Sequence, residues 1–284
     1  PLLTAGEIQA QEQRSPSNLW SDFNHYIRIA RPDLADAAAR SLMDRVDRQQ
    51  LLDVVESGQY DDYNQTLLRA SRMETVQETA RKLERELQQA RIERSREPDR
   101  IRADIERLAE GPRSYQNALE RLRAAGQYAA PHLLETLLDE RAANLHPYVL
   151  SAIVAIGRPM VAPLSVSLAH LEPVPGALAE IGYPRVLPHI SEALETRNLD
   201  GNTRRRLERA HDQLARKPDL PRNVRAAELF LSLAENLYEA GTEGQTLPGY
   251  DSAIERGIVW DYAPRAGLVP IEVPKAIFPD ALAM

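Results

Sequence analysis

Residues 155–164 read AIGRPMVAPL, and this stretch decides the fold that the sequence predicts. One apolar helical segment ends at Gly157, and a second begins around Pro163. Glycine takes the left-handed backbone that ends a helix at little steric cost. Proline fits the first turn of the next helix, because a donor is not needed there. The stretch therefore predicts two short helices joined by a tight turn.

The same arrangement occurs three times along the chain. A proline follows a glycine by five or six residues in each copy, at Gly126 and Pro131, Gly157 and Pro163, and Gly182 and Pro188. Apolar residues at helical spacing flank each pair. A helical pair of this size is too small to bury its own apolar face, so we expect neighbouring pairs to stack in register.

The run at residues 155–164 resembles the helix–turn–helix core of HEAT-like repeats, particularly the short bacterial type found in phycobilisome-lyase-like proteins. The glycine-to-glycine spacings are 31 and 25 residues, shorter than the roughly 40 usual for HEAT repeats. The resemblance implies a scaffold with a concave binding surface, and it brings no catalytic residue to this chain. The predicted fold class is all-α: an irregular α-solenoid of HEAT-like helical hairpins, with an N-terminal helical region and a small C-terminal β-hairpin.

Composition and helix-breaking residues divide the chain into four segments. Residues 1–17 are predicted to be a flexible N-terminus, and 18–112 a helical region with a long helical hairpin. Residues 113–217 carry the repeats and end in a capping helix over 202–217, with Leu207, Ala210 and Leu214 inward. Residues 218–284 are predicted to contain one more helix and a β-hairpin tail.

The tail has two kinds of pattern. A helix over 224–238 is expected to stop at Gly241 and to turn four residues toward a core, namely Ala227, Leu231, Leu233 and Leu237. Two strand-like runs at 257–262 and 268–273 surround a short turn, which predicts the hairpin. Pro270 confines its strand to a sheet edge.

A heptad seam lies within residues 73–90, formed by Met73, Val76, Ala80, Leu83, Leu87 and Ala90. Such a seam fits either an intramolecular helical hairpin or a coiled-coil arm that forms a homodimer. It covers under three heptads, which favours the intramolecular hairpin.

Composition excludes several classes of site. The 284 residues carry a net charge of −7, which argues against broad binding of a nucleic-acid backbone. The absence of cysteine removes disulfides, thiolate metal sites and cysteine nucleophiles. No apolar stretch reaches the roughly 18 residues of a membrane span. The sequence begins at Pro1, which fits either removal of a leader or a sequence that simply starts there. The sequence therefore leaves two locations open for the protein, the cytoplasm or export.

Candidate binding residues lie in two places. Arg204, Arg205, Arg206 and Arg209 form a local anion site for a phosphate or an acidic partner. The alternative, which is favoured, is the polar face of a capping helix, paired with Glu208 and Asp212. In the tail, Trp260 and Ile271 are expected to pack on the helices or on a partner.

No motif indicates chemistry. The six histidines show no metal-binding spacing, and P-loop and nucleophile-elbow motifs are absent. His132 and His189 occupy equivalent places, each directly after a repeat proline. They either line a ligand groove or have a structural role, and the structural role is favoured. We therefore predict no catalytic residue, metal or cofactor.

Two classes of function follow. The favoured one is a non-enzymatic scaffold that presents a helical-repeat groove and an apolar C-terminal tail to a protein partner. The alternative is an enzyme or ligand carrier on a HEAT-like frame, similar to a lyase or a glycosylase. A glycosylase needs a basic, aromatic-lined face, which the composition does not support. A lyase needs a deep apolar pocket with convergent polar groups.

Overall fold

The computed structural model describes residues 14–57, 63–168, 174–196, 199–215, 224–252, 254–263 and 266–284. The chain divides into two compact units, Pro1–Arg94 and Ser95–Met284. The division falls before the boundary at residue 112 that the sequence segments use. The described residues are mostly helical, as predicted, and a small antiparallel sheet lies in the second unit.

All regular secondary structure in the described residues of the first unit is helical. Its helices are α1 (Pro16–Arg28), α2 (Pro32–Arg45), α3 (Arg48–Ser57), α4 (Tyr63–Ala70) and α5 (Gln77–Ser95), whose last residue belongs to the second unit. The Ser15 hydroxyl accepts a hydrogen bond from the Asn18 backbone N–H and caps α1, so the helix begins slightly before residue 18. Residues 1–13 of the predicted flexible N-terminus lie outside the described residues.

The heptad seam is buried inside this unit. Five of its six side chains are at most 1% exposed, and they share one core with Trp20 and Phe23. Helix α5 starts at Gln77, so Met73 and Val76 precede it. The packing is therefore intramolecular. A homodimer through residues 73–90 would have to take these side chains out of that core.

The second unit contains three helix–turn–helix units in succession. Their helices are α7 (Pro112–Ala125) with α8 (Ala130–Leu138), α9 (His146–Ile156) with α10 (Val161–Ser167), and α11 (Val174–Ile181) with α12 (Leu187–Thr196), and α6 (Pro98–Arg107) precedes them. Gly126, Gly157 and Gly182 end the first helices with φ of 59°, 77° and 66°. A short 3-10 turn then leads into each second helix. The predicted local pattern is confirmed at all three positions.

Neighbouring units are in contact, but the two helices of a unit are not always antiparallel. Helix α7 contacts α9, α9 contacts α11, and α11 contacts α13 (Gly201–Ala215), while α8 contacts α10. From His146–Ile156 to Arg158–Ser167 the chain bends by 106°, nearer a right angle than a hairpin. Together these two segments match a membrane span by length and composition, but no single helix within the described ranges does. A regular solenoid stays a prediction.

The sheet contains three strands in the order β1 (Tyr250–Asp251), β2 (Arg256–Ala263) and β3 (Gly267–Pro274). All pairs are antiparallel, with Ala263 opposite Gly267 at the closed end. The predicted hairpin is confirmed, and β3 is an edge strand, as Pro270 requires. The two-residue β1 was missed. Pro264 and Arg265 of the predicted turn lie outside the described residues. Strand β2 contacts α10, and β3 contacts α8.

Helix α14 (Ala226–Thr242) departs from the prediction in two ways. It continues through Gly241, which does not stop it. A Cβ there would lie 2.5 Å from Pro279 of the terminal helix α15 (Phe278–Ala283), so glycine serves close packing instead. Leu231 is 60% exposed and Ala227 is also exposed, so the predicted inward orientation of both is wrong. Leu229 and Leu237 are buried.

Candidate functional site

An open groove lies between helices α9, α11 and α13. Leu150, Ser151 and Val154 of α9, Glu180 of α11 and Arg206 of α13 line it, and its volume is about 280 Å³. The second helices α8 and α10 instead contact the sheet. The groove and the sheet therefore involve different helices of the repeats. We call it the α9–α11–α13 groove.

Helix α13 places three of the four predicted arginines on one flank. Its inward side chains are those predicted, Leu207, Ala210 and Leu214, each at most 1% exposed. At about 100° per residue, Arg205, Arg206 and Arg209 share a solvent-facing sector of about 100°, and Arg204 lies on the opposite flank. Of the three, Arg206 lines the groove. Arg204 is half-buried, with its Nη1 3.5 Å from the Leu194 carbonyl oxygen. We call Arg205, Arg206 and Arg209 the arginine face.

The arginine face is not neutralised by the chain. Within the part of the chain that the structure describes, none of the four arginines takes part in an ion pair. The predicted pairing with Glu208 and Asp212 is absent there. Asp212 instead lies 3.9 Å from the His211 Nδ1, and the Arg209 Nε donates to the Arg205 carbonyl. The groove is therefore lined by one arginine, Arg206, which has no ion pair, and by one described carboxylate, Glu180.

The two tail residues have different environments. Trp260 is 5% exposed, and its indole N–H donates to the Gln127 Oε1 at 3.0 Å. It fills the core of its own chain, so contact with a partner would require the sheet to leave the helices. Ile271 on β3 is 47% exposed and available on the surface.

A buried polar network, which sequence reasoning missed, ties the sheet to the first repeat turn. The Asp251 carboxylate on β1 accepts from the Arg96 Nη2 at 2.6 Å and from the Tyr128 hydroxyl at 3.0 Å. The Arg96 guanidinium also lies 4.4 Å from the centre of the Tyr128 ring. Burial raises the pKa of Tyr128 to about 12. Tyr128 and Asp251 are 123 positions apart, so no local pattern could have indicated this contact.

The two repeat histidines have structural surroundings. The His189 ring packs edge-on against Phe230 of α14, with centres 4.9 Å apart. Burial lowers the pKa of His189 to about 4 and also lowers the pKa of His132. In the described ranges, no cluster of three or more His, Asp or Glu side chains could hold a metal ion. The structural interpretation of His189 fits its contact with Phe230.

His189 makes folding sensitive to acid. Its folded pKa of about 4 lies below its ordinary value of 6.5, so between these values the unfolded chain binds a proton that the folded chain does not. The contribution of His189 to the free energy of unfolding is therefore fully present above pH 6.5 and is lost as the pH falls toward 4. We expect His189→Leu to reduce the loss of unfolding free energy between pH 7 and 4.5 by about 2–3 kcal/mol.

Urea unfolding of both proteins at the two pH values measures this difference. His25→Leu, at an exposed histidine on α1, is the matched control and should leave the acid-induced loss unchanged. An acid-induced loss in His189→Leu equal to that of the unmodified protein would contradict the assignment.

No protein-family model, no curated protein and no solved structure matches this chain.

Proposed function

We propose that the chain is a non-enzymatic protein-binding scaffold, and that its α9–α11–α13 groove binds an acidic segment of a partner protein. The observation that carries this proposal is the arginine face. Three guanidinium groups on two consecutive turns of α13 have no carboxylate within ion-pair distance among the described residues, and that of Arg206 lines an open groove. They do so in a chain whose net charge is −7.

The chemistry of the groove fits an acidic peptide with apolar residues. Guanidinium groups form paired, charge-assisted hydrogen bonds with carboxylates. The half-buried Leu150 and Val154 offer apolar surface to a leucine or isoleucine of the partner. Arg94, by contrast, already pairs with Asp53 and Glu56. The arginine face is therefore ready to accept carboxylates from outside the chain.

The alternative function, an enzyme or ligand carrier, finds less support. Ligand pockets usually enclose most of the surface of their ligand, whereas the groove, of about 280 Å³, is open to solvent. Scaffolds built from stacked helical repeats use extended open surfaces of this kind. The tail contributes to partner binding through the exposed Ile271 rather than through the buried Trp260.

A charge reversal of the arginine face tests the proposal. The probe is a labelled peptide of about 15 residues that repeats Glu-Glu-Leu, and binding is measured by fluorescence anisotropy. We expect Arg205→Glu/Arg206→Glu/Arg209→Glu to bind it about 30-fold more weakly, since three charge pairs of up to about 1 kcal/mol each are lost. Binding by the unmodified protein should weaken as salt is raised.

The control carries the same change of charge elsewhere in the second unit. Arg100→Glu/Arg102→Glu/Arg141→Glu replaces three exposed arginines and should keep most of the affinity. An equal loss of affinity in this control would mean that binding depends on the net charge of the protein and not on the arginine face. A Lys-Lys-Leu peptide that binds as tightly as the acidic one would also contradict the proposal.

A further inference from the structure

The outer face of α14 carries an apolar stripe that the fold leaves mostly exposed, with only Ala234 partly buried. It consists of Ala227, Leu231, Ala234 and Tyr238, spaced at i, i+4, i+7 and i+11, and so on one side of the helix. Leu231 is 60% exposed and Tyr238 is 50% exposed. We call these four residues the α14 stripe.

The stripe is additional to the face with which α14 joins the core. Leu229 and Leu237 are buried, and Phe230 packs on His189. A surface helix usually has a polar outer face, whereas α14 is apolar on two sides. Contiguous exposed apolar surface of this kind typically marks an interaction site. A partner for the stripe would present apolar side chains at matching spacing.

Acidic residues border the α14 stripe along one edge and favour a partner of positive charge. Glu228, Glu235 and Glu239 each follow a stripe residue by one position and form a row along one edge of the stripe. Glu228 lies 3.5 Å from Arg225. Glu235 and Glu239 have no ion pair in the part of the chain described. A partner with lysine or arginine beside its apolar residues would complement both features.

We propose that the α14 stripe docks a basic amphipathic helix of a partner protein. A second copy of this chain is a poorer occupant, because antiparallel pairing of the stripes would set one glutamate row against the other and supply no cation. Lipid surfaces are also a poor fit, since anionic headgroups attract basic segments and not acidic ones. This surface is separate from the arginine face, and its partner has the opposite charge.

A designed peptide serves as the probe. It has about 18 residues, with leucine on one helical face and lysine on the other, and a scrambled peptide of the same composition has no apolar face. Fluorescence anisotropy measures the affinity of each. We expect Leu231→Asn/Tyr238→Ser to weaken binding of the amphipathic peptide about tenfold, and Glu235→Lys/Glu239→Lys to weaken it at least as much.

Each variant has a matched control in the same unit. Leu138→Asn/Tyr148→Ser changes the same residue types, which are 55% and 42% exposed on α8 and α9. Glu106→Lys/Glu120→Lys makes the same change of charge at exposed positions of α6 and α7. Both controls should stay within about twofold of the unmodified protein. Circular dichroism confirms that every variant is folded.

Three results would overturn the proposal: equal losses in the controls, equal binding of the scrambled peptide, or a dimer in sedimentation that Leu231→Asn converts to a monomer. The last would assign the stripe to a second copy. The Arg205→Glu/Arg206→Glu/Arg209→Glu protein should still bind the basic peptide. Failure of the groove proposal and failure of this one are thereby distinguishable.

Discussion

Replacement of Asp251 by alanine is expected to lower the free energy of unfolding by about 3 kcal/mol, because it leaves a largely buried cation without its partner. The Asp251 carboxylate is 6% exposed and lies 2.6 Å from Arg96, whose side chain is 20% exposed. The Tyr128 hydroxyl loses its acceptor in the same change. The Arg96 Nε is buried and has no hydrogen-bond partner, so little else in the site can compensate. Urea unfolding followed by circular dichroism measures the loss.

An exposed ion pair in the same sheet provides the control. Arg256 and Glu272 lie 3.2 Å apart, and both side chains are about half exposed. Glu272→Ala should therefore cost at most about 1 kcal/mol. Asp251→Leu/Arg96→Met should recover part of the loss, since a buried pair can be replaced by apolar residues more cheaply than it can be broken. A cost for Asp251→Ala no larger than that of Glu272→Ala would show that the network does not hold the sheet.

Phe278→Ala is expected to cost about 3–5 kcal/mol, because it empties the centre of a small core. Phe278 is 1% exposed and packs with Leu237, Leu247 and Val273. Its ring lies directly on Gly257, where an added Cβ would be 2.0 Å from the Phe278 Cδ2. Gly257→Ala should therefore cost about 1–3 kcal/mol by overpacking. Urea unfolding of the two single variants and the double variant measures the coupling.

The double variant decides whether the two residues share one contact. Removal of the ring makes space for the new methyl group, so Gly257→Ala/Phe278→Ala should lose less than the sum of the single changes. Costs that add within about 0.5 kcal/mol would contradict the contact. Ile277→Ala, at a neighbour that is 54% exposed, is the control and should cost under about 0.5 kcal/mol.

Local rules explain which parts of the fold could be predicted from the sequence. The three repeat turns depend on glycines at positive φ and on prolines in a first helical turn, and both requirements act within a few residues. The β2–β3 hairpin and the inward face of α13 follow from alternation and helical spacing in the same way. Gly241 shows the limit of such rules, since a glycine that allows close approach of Pro279 looks like one that ends a helix.

The remaining features depend on tertiary contacts. Helix α14 has apolar residues on two sides, so periodicity could not decide that Leu229 is buried and Leu231 exposed. Spacing indicated that Glu208 can reach Arg204, but spacing does not fix side-chain rotamers, and the pair does not form in the described residues. The Arg96–Asp251–Tyr128 network joins residues more than 100 positions apart. Only the folded chain brings these groups together.

The two tryptophans of the chain are divided between the compact units, with Trp20 in the first and Trp260 in the second. Both indoles are buried, at 1% and 5% exposure, so the emission of each should shift to longer wavelength when its own unit opens. Trp20→Phe and Trp260→Phe would thus yield two proteins that each carry a single intrinsic optical reporter. Comparison of their denaturation curves would reveal, without any added label, whether the units melt together or one after the other.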